Sequence, residues 1–133
     1  MGVTLDTSVL IDLLQGDSET LARLDLLEQE GLVPTLSTVA VFEALSGVEY
    51  TKSRGERVRL EVVLRQLPLE PFDLDSARRA GELRAELRRS GRSPGAPDVM
   101  IAGQALAGGH TLVTRDRVLA KAADALGLRV VVY

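Results

Sequence analysis

The sequence predicts an α/β protein with three layers, in which helices cover both faces of a central parallel sheet. Short extended segments alternate with helical segments along the whole chain. The extended segments are continuously apolar rather than alternating, as in strands that are buried on both faces. The 133 residues contain no repeat, low-complexity tract or internal linker, so we expect a single domain over residues 1–133.

Five short strands are predicted from these apolar segments, and turn or capping residues bound each of them. The first ends at Asp6-Thr7-Ser8, a cluster that favours the start of a helix. In a parallel α/β sheet, ligands bind beyond the carboxyl ends of the strands, which is where this cluster lies. The predicted strands cover residues 3–5, 32–36, 69–72, 111–113 and 129–132.

Seven helices are predicted between the strands, and glycines such as Gly31 mark where several of them end. Ser37 and Thr38 cap the third helix. The fifth is amphipathic, and residues 90–97 form the one clear loop after it. Its apolar face is predicted to contain Ala77, Ala80, Leu83 and Leu87. The predicted helices cover residues 9–14, 19–29, 38–48, 55–66, 73–89, 99–107 and 117–126.

The composition excludes several classes of site. With no cysteine and one histidine, the chain has no disulfide, no Cys/His zinc site, no thiol nucleophile and no pair of catalytic histidines. No segment approaches the roughly 18 apolar residues of a membrane span, and no basic stretch precedes the N-terminal apolar run. We therefore expect a cytoplasmic protein without a membrane partner. The single histidine, His110, is interpreted as a loop residue rather than a base.

Charge is distributed unevenly although the net charge is only −3. Residues 1–50 contain nine acids and one base, whereas residues 51–92 contain eleven lysines and arginines against seven acids. A basic middle segment in an acidic protein is compatible with the binding of a polyanion to one face. It is equally compatible with helices whose solvent-facing sides are charged.

Four acidic residues stand almost alone in apolar or small-residue segments: Asp6, Glu43, Asp98 and Asp116. An isolated ionised carboxylate in a protein interior costs several kcal/mol or more. Taken singly, the three aspartates are explained as caps or as favourable charges at helix starts. Four that a compact fold brings together instead predict a site for divalent cations, because hard cations bind clustered carboxylates.

Glu43 is the hardest of the four to explain without a ligand. It is the only charged residue between Ser37 and Val48, and its neighbours are apolar. A helix that is apolar on all sides is expected to be buried. No basic residue lies nearby in sequence to pair with this glutamate, so a metal ion is the favoured partner.

Other polar residues near the acids have possible supporting roles. Thr7, Ser8 and Thr114 flank the acids and are candidates for orienting them, with a turn or cap as the alternative. Several arginines near Asp98 and Asp116 are candidates for contacts with nucleic-acid phosphates, and a solvated surface is the alternative for each. These arginines are Arg88, Arg89, Arg92, Arg115 and Arg117.

Five segments in sequence resemble the motifs of the PIN-domain family, and the chain's length resembles its VapC-type toxins. The first acid lies in VTLDTSVLIDLL, and Glu43 has Gly47 four residues after it. Asp98 lies in PDVMIAGQAL, Asp116 ends TLVTRD, and the chain closes with GLRVVVY. Many family members have Asn at the position of Asp116 and an Asp-Phe pair soon after it. Here Val118 and Leu119 follow, so the fourth acid is Asp116.

The resemblance implies a PIN-like fold and a metal-dependent endoribonuclease that uses Mg²⁺ or Mn²⁺. It implies that Asp6, Glu43, Asp98 and Asp116 bind the metal and that water is the nucleophile, which leaves a 5′-phosphate. It also implies a homodimer and a small cognate antitoxin that blocks the site, often with an arginine.

Three other functions remain open from the sequence. A receiver-like or haloacid-dehalogenase-like phosphotransfer domain also places aspartates at strand ends. Haloacid-dehalogenase-like domains need Asp-x-Asp, and receiver-like domains need a lysine near the site. Neither kind of domain explains Glu43. A catalytically silent PIN-like interaction module would lack metal binding. A DNA nuclease of related fold is the third, because attack by water does not involve the sugar.

Overall fold

A five-stranded parallel sheet forms the centre of the computed structural model, which describes residues 2–133. The strand order is β3-β2-β1-β4-β5. Consecutive residues of β1, β2 and β4 are buried, so both faces of the sheet are covered, as the sequence predicts. The strands are β1 (Gly2–Leu5), β2 (Val33–Ser37), β3 (Leu69–Glu70), β4 (Thr111–Thr114) and β5 (Val130–Val132).

Seven helices flank the sheet, and their bounds agree with the prediction to within three residues. Asp6 and Ser37 are N-caps whose side chains accept hydrogen bonds from backbone amides, as the capping signals indicate. Asp73, predicted as the first residue of the fifth helix, is its N-cap. No helix within residues 2–133 is both long and apolar enough to cross a membrane. The helices are α1 (Thr7–Leu14), α2 (Ser18–Gln29), α3 (Thr38–Thr51), α4 (Arg54–Gln66), α5 (Leu74–Arg89), α6 (Ala96–Gly108) and α7 (Arg117–Ala125).

The chain changes direction across the sheet between β1 and β4. From β1 it continues through β2 to β3 at one edge, and it then returns to place β4 and β5 on the other side of β1. Leu5 of β1 pairs with Val113 of β4, so these two strands end side by side. Such a switch point opens a crevice at the carboxyl ends of the strands. Asp6 and Asp116 follow the two strands that form it.

The apolar face of α5 differs from the prediction at one position. Ala80, Leu83 and Leu87 are buried, but Ala77 is exposed and Ser76 is buried in its place. Positions 76, 80, 83 and 87 follow the helical repeat, and position 77 is turned about 100° from position 76. The Ser76 hydroxyl is satisfied there because it donates to Asp73 Oδ1 at 2.7 Å.

Helix α3 is not buried on all sides, which corrects the expectation drawn from its apolar composition. Its small residues Ala40 and Ala44 face the core together with Val48. Phe42 is 65% exposed and Leu45 is 36% exposed. The small side chains allow the helix to approach its neighbours closely, and the larger apolar ones are left on the surface of the single chain.

Candidate metal-dependent active site

Asp6 lies at the switch point as the N-cap of α1 and is only 2% exposed. Both of its carboxylate oxygens accept hydrogen bonds. Oδ1 accepts from the Thr7 amide at 2.9 Å, and Oδ2 accepts from the Thr114 hydroxyl at 2.8 Å. A buried carboxylate held at both oxygens has a fixed orientation, and here neither donor is a charged group.

The Thr114 hydroxyl also connects this carboxylate to the next strand end. It accepts a hydrogen bond from the Asp116 amide at 3.0 Å while it donates to Asp6. Asp116 caps α7, because its Oδ1 accepts from the amides of Val118 and Leu119 at 3.0 Å. The cap interpretation of Asp116 is therefore confirmed, and its Oδ2 remains available for a further role.

Glu43 reaches the same region from the middle of α3. Its Oε1 accepts a hydrogen bond of 2.7 Å from the Thr7 hydroxyl. The residue that orients this glutamate is therefore Thr7, whereas Ser8 is exposed on the next position of α1. The sequence offers Thr7 as a candidate for orienting an acid, but it does not indicate that this acid is Glu43, which lies 36 residues away in the chain.

Asp98 interacts electrostatically with each of the other three acids. It lies in the first turn of α6, and burial raises its pKa, as do the negative charges of Glu43 and Asp116. Burial also raises the pKa of Asp6 to about 7, with the charge of Asp98 as the second cause. The structure thus places the four predicted acids, from four different elements, near one another.

No cation in the described part of the chain offsets this negative charge. Among residues 2–133, none of the ion pairs involves these four acids. No set of three or more acidic or histidine side chains in this range is already arranged to hold a metal ion. The pKa of Asp6 is raised by the charge of Asp98, and the pKa of Asp98 is raised by the charges of Glu43 and Asp116.

The five candidate arginines do not form one cluster. Arg115 pairs with Asp12 at 2.7 Å and Asp17 at 3.3 Å, and its guanidinium lies 4.5 Å from the centre of the Tyr133 ring. Arg89 pairs with Glu86 at 2.6 Å. Arg88 is exposed on α5. Arg92 and Arg117 line one groove together with Lys121.

His110 stands away from the four acids, at the amino end of β4. Its ring nitrogens lie 3.1 Å from Thr4 Oγ1 and 3.2 Å from Glu70 Oε1. Because a strand rises about 3.3 Å per residue, four strand residues place it roughly 13 Å from the Asp116 end. It therefore serves the packing of the sheet and is not placed to act as a base at the carboxylates.

Comparison with known proteins identifies similar sequences and structures. A family model for the PIN domain matches residues 3–125. Over 84 residues the chain is 34% identical to the tRNA(fMet)-specific endonuclease VapC of Shigella flexneri. That match covers 61% of this chain and 62% of that protein, so it spans less than two thirds of the relative's length.

Solved structures extend the similarity to the whole chain. The structure of VapBC2 from Rickettsia felis, bound to a DNA fragment from its promoter, matches with a TM-score of 0.83 and 26% identity. The match covers 100% of this chain and 99% of that one. VapBC-5 from Mycobacterium tuberculosis, a member of the VapBC family of toxin–antitoxin systems, matches with a TM-score of 0.74 and 26% identity. This second match covers 99% of this chain and 98% of the VapBC-5 chain.

Proposed function

The chain belongs to the PIN domain family, and from this premise we propose that it is a divalent-metal-dependent endoribonuclease. We further propose that it acts as the toxin of a type II toxin–antitoxin pair. The observation that carries the first proposal is the group of four carboxylates without a cationic partner. Asp6 is the clearest case, because burial and Asp98 raise its pKa to about 7.

The donor set fits a hard divalent cation. Carboxylate oxygens are the ligands that Mg²⁺ and Mn²⁺ prefer, and like charges held close together are stabilised when a cation binds. The residues that would hold it are Asp6 and Asp98, supported by Glu43 and Asp116. The raised pKa of Asp6 supports this assignment, because a carboxylate that cannot ionise easily alone ionises readily beside a cation.

Hydrolysis is the reaction that this arrangement favours. A bound divalent cation lowers the pKa of a water molecule and offsets charge on the scissile phosphate. The Thr114 hydroxyl holds Asp6, and the Thr7 hydroxyl holds Glu43, so both carboxylates are oriented before any ligand arrives. His110 is remote and the chain has no cysteine, so we propose water as the nucleophile. Its oxygen would bond to phosphorus while the bond from phosphorus to the 3′-oxygen breaks, which leaves a 5′-phosphate and a 3′-hydroxyl.

The first experiment tests metal dependence and the carboxylates together. Purified protein is incubated with transfer RNA and with a mixed RNA pool, with Mg²⁺, with Mn²⁺ and with EDTA. Asp98→Asn protein is run alongside. We expect cleavage only with metal and a loss of at least 100-fold in the variant. An RNA with a 2′-deoxy residue at the cut site should still be cleaved, because attack by water does not use that hydroxyl.

Two results would contradict the proposal. Absence of cleavage, together with no binding of Mn²⁺ by calorimetry, would favour a catalytically silent interaction module. Cleavage of DNA at the same rate as RNA would contradict the assignment as an endoribonuclease and would make the protein a nuclease without preference for the sugar. The phosphotransfer alternative has no support at the site, because Lys52 pairs with Glu49 and Lys121 lies on α7.

An apolar groove between α2 and α4 supports the proposed antitoxin partner. Its volume is about 360 Å³, and a helix or extended segment of a small protein has the apolar side chains to fill it. The four clustered acids would accept an arginine from the same partner, because none of them forms an ion pair within residues 2–133. The apolar residues that line the groove include Leu13, Leu21, Leu24, Val58, Val62 and Leu67.

A second apolar surface supports the proposed homodimer. Phe42 and Leu45 lie one helical turn apart on the exposed side of α3, and Tyr50 further along is 90% exposed. Large apolar side chains exposed together mark surfaces that other chains cover. We propose that a second copy of the chain packs against this side of α3, and that the antitoxin uses the groove.

A further inference from the structure

We propose that the groove between the C-terminal end of α5 and α7 binds the phosphate backbone of single-stranded RNA beside the bond that is cut. This proposal rests on the proposed nuclease function and adds a substrate-binding site to it. The groove has a volume of about 420 Å³, within the range of ligand sites. Its lining includes Arg92, Arg117, Lys121, Leu87, Val118 and Ala122.

The charge of the groove points to a polyanionic ligand. Arg92, Arg117 and Lys121 come from the loop after α5 and from the first turns of α7, and all three are exposed. Within residues 2–133, none of them forms an ion pair. The one acid in the lining, Glu86, pairs with Arg89. The groove therefore presents three cations whose charge is not offset within this chain.

The groove adjoins Asp116, one of the four acids, at the start of α7. Val118 lines the groove, and its amide donates to Asp116 Oδ1 at 3.0 Å. Arg117 lies between these two residues in the chain. A strand whose scissile phosphate lay at the acids would therefore pass its neighbouring phosphates along these cations. The acids alone would repel that strand, so attraction must come from a basic surface next to them.

The lining also indicates how the strand is read. The floor consists of aliphatic side chains, including Leu87 and Ala122, and contains no aromatic residue. Single-stranded nucleic acids are usually held by base stacking on aromatic rings combined with phosphate contacts. Since the groove offers phosphate contacts but no aromatic ring for stacking, it recognises the backbone and contributes little to sequence preference.

An acidic protein segment is the other ligand that such cations attract. The position of the groove beside Asp116 favours RNA, because a substrate bound at the acids extends over the neighbouring surface, whereas an antitoxin can dock on the apolar groove between α2 and α4. The two ligands differ in a measurable way. RNA binding should lose one phosphate contact for each cation removed, with a matching change in its dependence on salt.

The test measures binding of a fluorescein-labelled 12-nucleotide RNA of mixed sequence to the full chain in EDTA, by anisotropy from 50 to 300 mM salt. We expect Arg92→Gln and Lys121→Met each to weaken binding, on the order of fivefold at 0.1 M salt. Each should also reduce the slope of log Kd against log salt by about 0.7. Lys121→Arg keeps the charge and should bind like the original chain.

Arg78→Gln is the matched control. Arg78 is exposed on α5 and forms no ion pair within residues 2–133, and it lies about 13 Å along the helix from Leu87. Unchanged RNA binding in Arg92→Gln and Lys121→Met would overturn the proposal. If those variants instead bound a deca-glutamate peptide more weakly, the groove would be assigned to an acidic protein segment.

The outcome also separates this proposal from the nuclease function. RNA that binds through Arg92 and Lys121 but is not cut with Mg²⁺ or Mn²⁺ would support the groove and contradict the proposed activity. RNA that is cut equally well by the original chain and by both variants, at substrate concentrations far below KM, would support the activity and contradict the groove.

Discussion

A single hydroxyl group, that of Thr114, connects two of the four acids. It donates to Asp6 Oδ2 and accepts from the Asp116 amide, and the side chain is fully buried. A group that makes both hydrogen bonds fixes the distance between the two strand ends. Supporting residues of this kind commonly change metal affinity or activity by about 10–100-fold when they are replaced.

Thr114→Val should therefore lower nuclease activity by about 10–100-fold and the free energy of unfolding by about 1–3 kcal/mol. Thr111→Val is the matched control, because Thr111 is buried on the same strand but its hydroxyl has no hydrogen-bond partner. That variant should keep its activity and unfold at equal or higher denaturant concentration. Equal losses in both variants would show that only the packing of β4 matters.

The raised pKa of Asp6 predicts how stability depends on pH in the absence of metal. The pKa rises from 3.8 to about 7 on folding, because burial and Asp98 disfavour the charged form. The folded chain then binds more protons than the unfolded chain between these values. The contribution of Asp6 to the free energy of unfolding is therefore fully present below about pH 4, falls as the pH rises, and is lost above about pH 7.

The loss amounts to a few kcal/mol at most, on the order expected for a buried carboxyl coupled to a second one. Urea unfolding in EDTA from pH 4 to pH 8 measures it. Asp6→Asn should flatten this dependence and be more stable than the original chain at pH 8, and Mg²⁺ should stabilise only the original chain. A variant whose profile is parallel to that of the original chain would show that Asp6 ionises normally.

At the scale of secondary-structure elements, the contact between α5 and α6 determines where Asp98 stands. Gly103 of α6 lies directly against Ala80 of α5, so a Cβ atom at Gly103 would be only 2.5 Å from the backbone of Ala80. Real Cβ atoms do not approach backbone so closely, and the two helices would have to separate. Asp98 lies five residues earlier on α6 and would move with it.

Gly103→Ala should therefore destabilise the protein by about 1–3 kcal/mol, because it overpacks this contact. Gly81→Ala is the control on the facing helix, where a Cβ would have nothing within 4 Å. That substitution should stabilise by about 0.5–1 kcal/mol, since glycine inside a helix costs entropy. Thermal unfolding of the two variants should shift in opposite directions.

The elements also show which local signals are reliable. Caps such as Asp6 and Ser37 are where the sequence predicts them, because a side-chain oxygen that satisfies an amide is a local interaction. The errors concern which face is buried. Ala77 is exposed, and α3 has an exposed apolar side, because burial depends on the neighbours that pack against the helix.

At the scale of the whole molecule, two separate apolar surfaces predict two separate partners. Val62→Glu places a charge in the groove between α2 and α4, and it should abolish copurification with the proposed antitoxin while the proposed homodimer persists. Phe42→Glu on α3 should have the reverse effect, because that side chain is 65% exposed outside the groove.

Sedimentation of each variant, alone and with the coexpressed antitoxin, measures both properties. Loss of both interactions in a folded variant would show that the two partners share one surface. If both variants keep both interactions, neither surface binds the proposed partner. Circular dichroism at matched concentration excludes unfolding as the cause, and both positions are at least 40% exposed.

The sequence by itself determined the fold class and the order of the elements, and it singled out four acids as candidates for the site, because apolar continuity, capping and isolated charge are properties of short segments. Only the tertiary structure decided that Thr7 orients Glu43, that Arg115 is held by Asp12, and that Arg92 faces a groove with Lys121. These contacts join residues far apart in the chain. Their geometry depends on how the helices pack around the sheet, which no local pattern specifies.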